Sequence, residues 1–340
     1  MKYIFSLVSA LLSAGCSSEV VQKQSSMIRA PFINGRFENL EPFPDKSFWQ
    51  VLQWRFFEPR KAWPKWVEAP QYKIEVERSE ELRWTVINHA TVLIQMNGLN
   101  ILTDPIFSDR TSPVSFAGPQ RVRPPGVSFE SLPNIDIVLV SHNHYDHLDL
   151  PTLKLLNDRF RPRFFVGLGN GPLLDEAQIQ QVTEVDWWDE IQIQALSIQF
   201  VPAQHWSARG LFDRRKTLWG GFYLKGKKTV YFAGDTGYGS FFNTLQEKVG
   251  TPDLAFIPIG AYAPRWFMKY AHMNPEDAVK AALDLKAKKS VGIHFGTFQL
   301  TDEGIDDPTA ELAAVIKSKN FTQDFFVVPE FGKSVAEADP

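Results

Sequence analysis

A chain of 340 residues, 44% hydrophobic and 22% charged, is long enough to bury a large core in one or two domains. A net charge of −3 and an isoelectric point near 6.2 exclude the general basic face that a nucleic-acid partner requires. Cys16 is the only cysteine, which excludes an intramolecular disulfide.

Lys2 precedes an apolar run over 3–12 and then Ser13-Ala14-Gly15-Cys16. The run is too short to span a bilayer and resembles a bacterial lipoprotein signal, which makes 1–15 a signal peptide and Cys16 the lipidated first residue. Ser17 in place of aspartate then points to the outer membrane of the cell envelope, facing the periplasm. Residues 17–39 are polar and read as a tether. In 48–67, Trp49, Trp54, Phe56, Phe57, Trp63 and Trp66 alternate with Arg55, Arg60, Lys61 and Lys65. This segment suits either a lipid headgroup boundary or an extension wrapped on the main domain. The proline breaks at 59, 64 and 70 favour wrapping. Residues 16–81 are thus expected to be tether and extension, and 82–340 the main domain.

From residue 82 the pattern is regular. Strands are expected at 83–87, 91–96 and 99–103, with Asn97-Gly98 as a type I′ turn, and at 135–140, where an apolar run indicates burial on both faces. Further strands are expected at 163–166, 197–201, 229–233, 254–259, 291–293 and 325–328. A helix opens at the cap Asn274, with Pro275, Glu276 and Asp277 in its first turn, and another covers 308–318. Strands followed by helices, repeated twice, predict an α/β fold: an αββα sandwich of two mixed sheets with helices outside.

Candidate ligands follow predicted strands. His142, His144, Asp146 and His147 follow 135–140, His205 follows 197–201, Asp235 follows 229–233 and His294 follows 291–293. Three histidines and an aspartate within six residues have no ordinary packing role, since crowding them without metal adds repulsion and desolvation. Two ions about 3.5–4 Å apart need an anionic bridge, for which Asp235 is suited. His142, His144 and His205 then form one site, and Asp146, His147 and His294 the other. Imidazole with a few carboxylates favours two zinc ions, although iron or manganese could fill such a site.

These residues resemble the metallo-β-lactamase superfamily over about residues 82–332. Ser141-His142-Asn143-His144-Tyr145-Asp146-His147-Leu148-Asp149, Gln204-His205-Trp206, the stretch 258–270 and Ile293-His294-Phe295-Gly296-Thr297 are similar to N-acylphosphatidylethanolamine-hydrolysing phospholipase D. The resemblance implies the same division of ligands, with Asp235 on both ions. It also implies phospholipid contacts from Tyr145 and His272. Asn88, ahead of His89, departs from the glycine usual in relatives.

The expected reaction is attack on phosphorus by a hydroxide between the metals, releasing phosphatidic acid and an N-acylethanolamine. His272 could contact phosphate or protonate the leaving group. His89 and Asp104 are read as supporting the ligands from behind, while Arg265 and Lys269 read as solvated or as attracting a head group. The expected partners are therefore phospholipid and a membrane surface. Competing readings are a lactonase or phosphoester hydrolase of small soluble substrates, and a non-catalytic metal-binding envelope lipoprotein.

Overall fold

A computed structural model describes residues 21–337; the signal at 1–15 and Cys16 lie outside this range. Two mixed sheets pack face to face. One orders its strands Gln22–Gln24, Glu190–Ile193, Leu196–Val201, Gly221–Lys225, Thr229–Phe232, Leu254–Pro258, Lys289–Ile293 and Phe326–Val327. The other orders Val335–Ala336, Arg83–Asn88, Thr91–Met96, Leu99–Thr103, Ile137–Val140, Arg163–Gly167 and Val182–Val185.

The strand Ile137–Val140 shows why these layers form. All four side chains are buried, as an apolar run predicts for an interior strand. Ile137 and Leu139 enter the core between the sheets, while Val138 and Val140 join Leu153 and Leu156 of the helix Leu150–Phe160. On the eight-stranded sheet, the helix Pro275–Asp284 buries Ala278, Val279, Ala281 and Ala282. Its cap is as expected, with Asp277 N donating to Asn274 Oδ1 at 3.0 Å. Asn97 and Gly98 take φ of 51° and 71°, the two positive values a type I′ turn requires. The fold is the expected αββα sandwich.

The strands Val182–Val185, Glu190–Ile193 and Gly221–Lys225 were absent from the sequence reading. The first two are short and mix charge with apolar residues, so their pairing rests on backbone bonds to longer neighbours. The supposed tether also differs: Gln22–Gln24 pairs antiparallel with Glu190–Gln192 as an edge strand. An edge strand needs no apolar alternation, so its polar sequence gave no signal.

The 48–67 segment is wrapped on the domain but also holds a helix. Ser47 and Gln50 form a reciprocal capping box that starts the helix Phe48–Phe57, which ends before Pro59. The prolines therefore bound this helix rather than prevent it. The segment does wrap the domain, with Trp54 Nε1 donating to Asp302 at 2.7 Å and Trp63 Nε1 to the Glu303 carbonyl at 2.8 Å. It does not bury its aromatics: no residue of Phe48–Phe57 is buried.

Gly234 links the fold to the candidate site. Its φ is 60°, and a Cβ there would lie 2.5 Å from the Ser141 side chain. Gly234→Ala is expected to destabilise the protein by about 1–3 kcal/mol, read as a lower urea midpoint, because neither backbone can retreat within the packed layer.

Candidate metal centre

The sandwich brings together all seven predicted ligands from four strand ends. Rigid strands carry the chain to the same edge, and the short loops beyond them turn the side chains inward. His142 Nε2 lies 2.9 Å from His144 Nδ1, and His205 Nε2 lies 3.2 Å from that same nitrogen. Asp146 Oδ2 lies 3.3 Å from His147 Nε2 and 3.2 Å from His294 Nε2. Asp235 stands between the groups: its Oδ2 is 3.8 Å from His205 Nε2 and 3.3 Å from His147 Nε2, and its Oδ1 is 3.1 Å from His294 Nε2.

The surroundings fix which nitrogens carry lone pairs. Asp104, fully buried, accepts from the Ser141 backbone N–H at 2.7 Å, from Ser141 Oγ at 2.6 Å and from His147 Nδ1 at 2.7 Å. His147 therefore presents an unprotonated Nε2 when neutral. With its proton given to Asp104, Ser141 Oγ accepts from His142 Nδ1 at 2.9 Å, leaving His142 Nε2 as a lone pair. His205 Nδ1 donates to the Ala271 carbonyl at 3.0 Å, with the same consequence for its Nε2. Thus the lone pairs of His142 and His205 both face His144 Nδ1, which has at most one proton to offer.

A cation resolves this conflict. The 2.9–3.2 Å spacings approach the edge of a tetrahedron with metal–nitrogen bonds of about 2.0–2.1 Å. His147 Nε2 and Asp235 Oδ1 are buried without a hydrogen-bond partner, although each has a charged neighbour close by. The donor set fits two divalent ions.

Electrostatics agrees. Burial disfavours charge on His142, His144 and His205, lowering all three, with His144 held at about 4; they present neutral imidazole at neutral pH. Burial also opposes charge on His147 and His294, but Asp235 and Asp146 outweigh it, with Asp104 adding to the effect at His147. His147 is raised well above the ordinary value and His294 to about 9. The carboxylates thus demand positive charge in this region, which protons supply in the absence of ions.

His272, also expected, comes to the same place: its Nδ1 lies 3.8 Å from Asp235 Oδ2. Tyr145 lies beside the cluster, donating to the Arg209 carbonyl at 3.0 Å, with the Arg209 guanidinium 3.9 Å from its ring centre. Arg265 is committed within the protein, donating to the His272 carbonyl at 2.8 Å and to Asp277 at 2.5 Å. Lys269 is exposed. His89, read as supporting, reaches Asp146 Oδ2 at 2.9 Å and belongs to the same compact donor group.

A cavity of about 470 Å³ opens over the cluster, bordered by His144, Asp146, Asp235 and His272 and walled by apolar groups including Trp54 and Phe267. Asn39 is a support that the sequence did not point to. Asn39 grips the backbone of His205 at both ends, donating from Nδ2 to its carbonyl at 2.8 Å and accepting its N–H at 3.0 Å. No local signal marks a partner 166 residues away.

A family model described as the β-lactamase superfamily domain matches residues 99–295. The chain is 40% identical over 263 residues to the N-acyl-phosphatidylethanolamine-hydrolyzing phospholipase D 1 of Caenorhabditis elegans, covering 73% of this chain and 74% of that relative. It is 38% identical over 102 residues to the outer membrane protein RomA of Klebsiella pneumoniae, covering 30% and 75%. A solved structure of a possible metal-dependent hydrolase from Veillonella parvula matches with a TM-score of 0.63 at 18% identity, covering 76% of this chain and 100% of its own.

Removing a support should loosen metal without unfolding the sheets. Asp104→Asn and Asn39→Ala are each expected to lower affinity for a divalent ion by about tenfold or more, measured as zinc retained against a competing chelator. Retention equal to that of the parent would remove these residues from the centre.

Proposed function

Because the chain belongs to the metallo-β-lactamase superfamily and is a metal-dependent hydrolase, we propose that it is a dinuclear zinc phosphodiesterase that cleaves phospholipids in the manner of a phospholipase D. The observation that carries the reading is the apolar-walled cavity opening directly on the histidine and aspartate cluster. It suits a substrate with a phosphodiester at one end and acyl chains at the other. The activity printed in the name of the Caenorhabditis elegans relative fits that chemistry.

His142, His144 and His205 would hold one ion, Asp146, His147 and His294 the other, and Asp235 both. Imidazole nitrogen with carboxylate oxygen favours zinc. Bound there, the ions supply a water acidic enough to react at neutral pH and neutralise charge on the phosphoryl oxygens.

The chain's own groups orient the reaction. Asp104, Ser141 and the Ala271 carbonyl hold His147, His142 and His205 in their ligating tautomers, so little reorganisation accompanies substrate binding. His272, at the cavity wall and close to Asp235, is placed to hydrogen-bond the phosphoryl group or deliver a proton to the departing alkoxide. Tyr145 borders the same space, its ring held under Arg209. Water adds to phosphorus and the bond to the ethanolamine oxygen breaks. Phosphatidic acid and the N-acylethanolamine, with a proton on its new hydroxyl, leave.

The site of action proposed is the bacterial envelope, with Cys16 as lipid anchor. Among the described residues no helix is long and apolar enough to cross a membrane, and the name of the Klebsiella pneumoniae relative is in keeping with the outer membrane.

Metal-loaded protein incubated with N-acylated and plain phospholipids, lactones and small phosphodiesters should release N-acylethanolamine. Turnover confined to the small soluble compounds would replace this reading with that of a lactonase or small phosphoesterase. Asp235→Asn is expected to reduce turnover by at least about a thousandfold and to lose metal on dialysis, since a neutral amide with one donor oxygen would replace the carboxylate proposed to serve both ions.

A further inference from the structure

Three segments that wall the cavity also carry bare apolar side chains. The helix Phe48–Phe57 contributes Val51 and Trp54 to the wall, yet leaves Phe48, Trp49, Phe56 and Phe57 between 69% and 81% exposed. A loop is closed at its base where Thr111 N donates to the Pro119 carbonyl at 3.1 Å, and both residues line the cavity. Between them Phe116 is 81% exposed. A second loop is closed where Arg215 N donates to the Ser207 carbonyl at 2.8 Å, beside the lining residues Trp206 and Arg214. Its tip, Leu211-Phe212, is 91% and 82% exposed.

Leaving large apolar groups in water is unfavourable, and a contiguous arrangement of them marks a binding surface. Here they fall on three segments that each also line the one cavity. A bilayer accepts several separate tips without a matching contour, whereas a protein partner must complement each of them. Tryptophan and phenylalanine are also suited to the headgroup boundary. Charge is complementary to anionic lipid. Across 48–57, 111–119 and 207–214 the exposed cation is Arg55, while Arg209 donates inward to the Asn143 and Leu148 carbonyls and Arg214 pairs with Asp45; the one carboxylate of these stretches, Asp213, accepts the backbone N–H groups of Arg209 and Gly210.

We propose that these three tips dock the protein on an anionic lipid bilayer with the cavity mouth against the membrane. This deepens, and for its purpose rests on, the phospholipid reading. A lipid could then slide its head group to the histidine and aspartate cluster while its acyl chains remain in the apolar mouth or the bilayer. Docking by the tips is distinct from anchoring through Cys16: the anchor confines the protein to a membrane, and the tips orient it.

The test uses the full chain with Cys16→Ser, so that acylation cannot supply the binding, and co-sedimentation with vesicles of phosphatidylethanolamine and phosphatidylglycerol. Trp49→Ser/Phe56→Ser/Phe57→Ser and, separately, Leu211→Ser/Phe212→Ser should each lower partitioning by about tenfold or more, with metal content and near-ultraviolet circular dichroism retained. Two independent variants guard against a local folding defect in either. Failure of the parent chain to bind, partitioning unchanged in both variants, or a self-association abolished by the same substitutions would overturn the docking. Vesicle binding through the tips by a protein that cleaves no phospholipid would uphold the docking and reject the phospholipase assignment.

Discussion

Several nitrogen lone pairs and two carboxylates are aimed into one small, buried volume, and much of the structure around it holds them there. Like-directed lone pairs and buried carboxylates repel one another strongly where water cannot screen them. The chain tolerates this because three of the rings are held from behind: Asp104 and Ser141 serve His147 and His142, and the Ala271 carbonyl serves His205. A cation would turn these opposed groups into a coordination set, coupling ion binding to the local geometry.

That coupling explains features scattered through the fold. Gly234 lets the strand bearing Asp235 approach Ser141, and Ser141 joins His142 to Asp104. His294 takes a φ of 62° immediately after its strand, and its N–H donates to the His89 carbonyl at 2.8 Å. His89 then turns its ring to Asp146. Strained or close-packed backbone thus collects around the centre, where the rigid sheets can sustain it.

The donor cluster was legible because its signal is local and chemical. His142, His144, Asp146 and His147 occupy one short segment after an apolar strand, and the remaining ligands each follow another strand. Strongly apolar strands and the capped helix after Asn274 were legible for the same reason. What escaped was held by distant partners. Asn39 acts through the backbone of His205, and Gln22–Gln24 gains its strand geometry only from a neighbour more than 160 residues away. Periodicity records which face of an element is buried, not which remote backbone completes it.

This long-range pairing alters where the catalytic unit begins. The boundary read at residue 82 follows the start of regular strands, but Phe43, Lys46, Val51 and Trp54 all line the cavity. Lys46 lies over the rings of Phe267 and Tyr270, at 5.3 and 5.0 Å, and donates to the Trp266 carbonyl at 3.4 Å. The segment preceding the sandwich therefore both braces the candidate ligand His205 through Asn39 and supplies an apolar wall through Trp54. A core bounded at residue 82 would keep all seven candidate ligands but lack part of the apolar wall of the cavity. The donor cluster thus resides in the sandwich, while the cavity over it is shared with the segment wrapped across it.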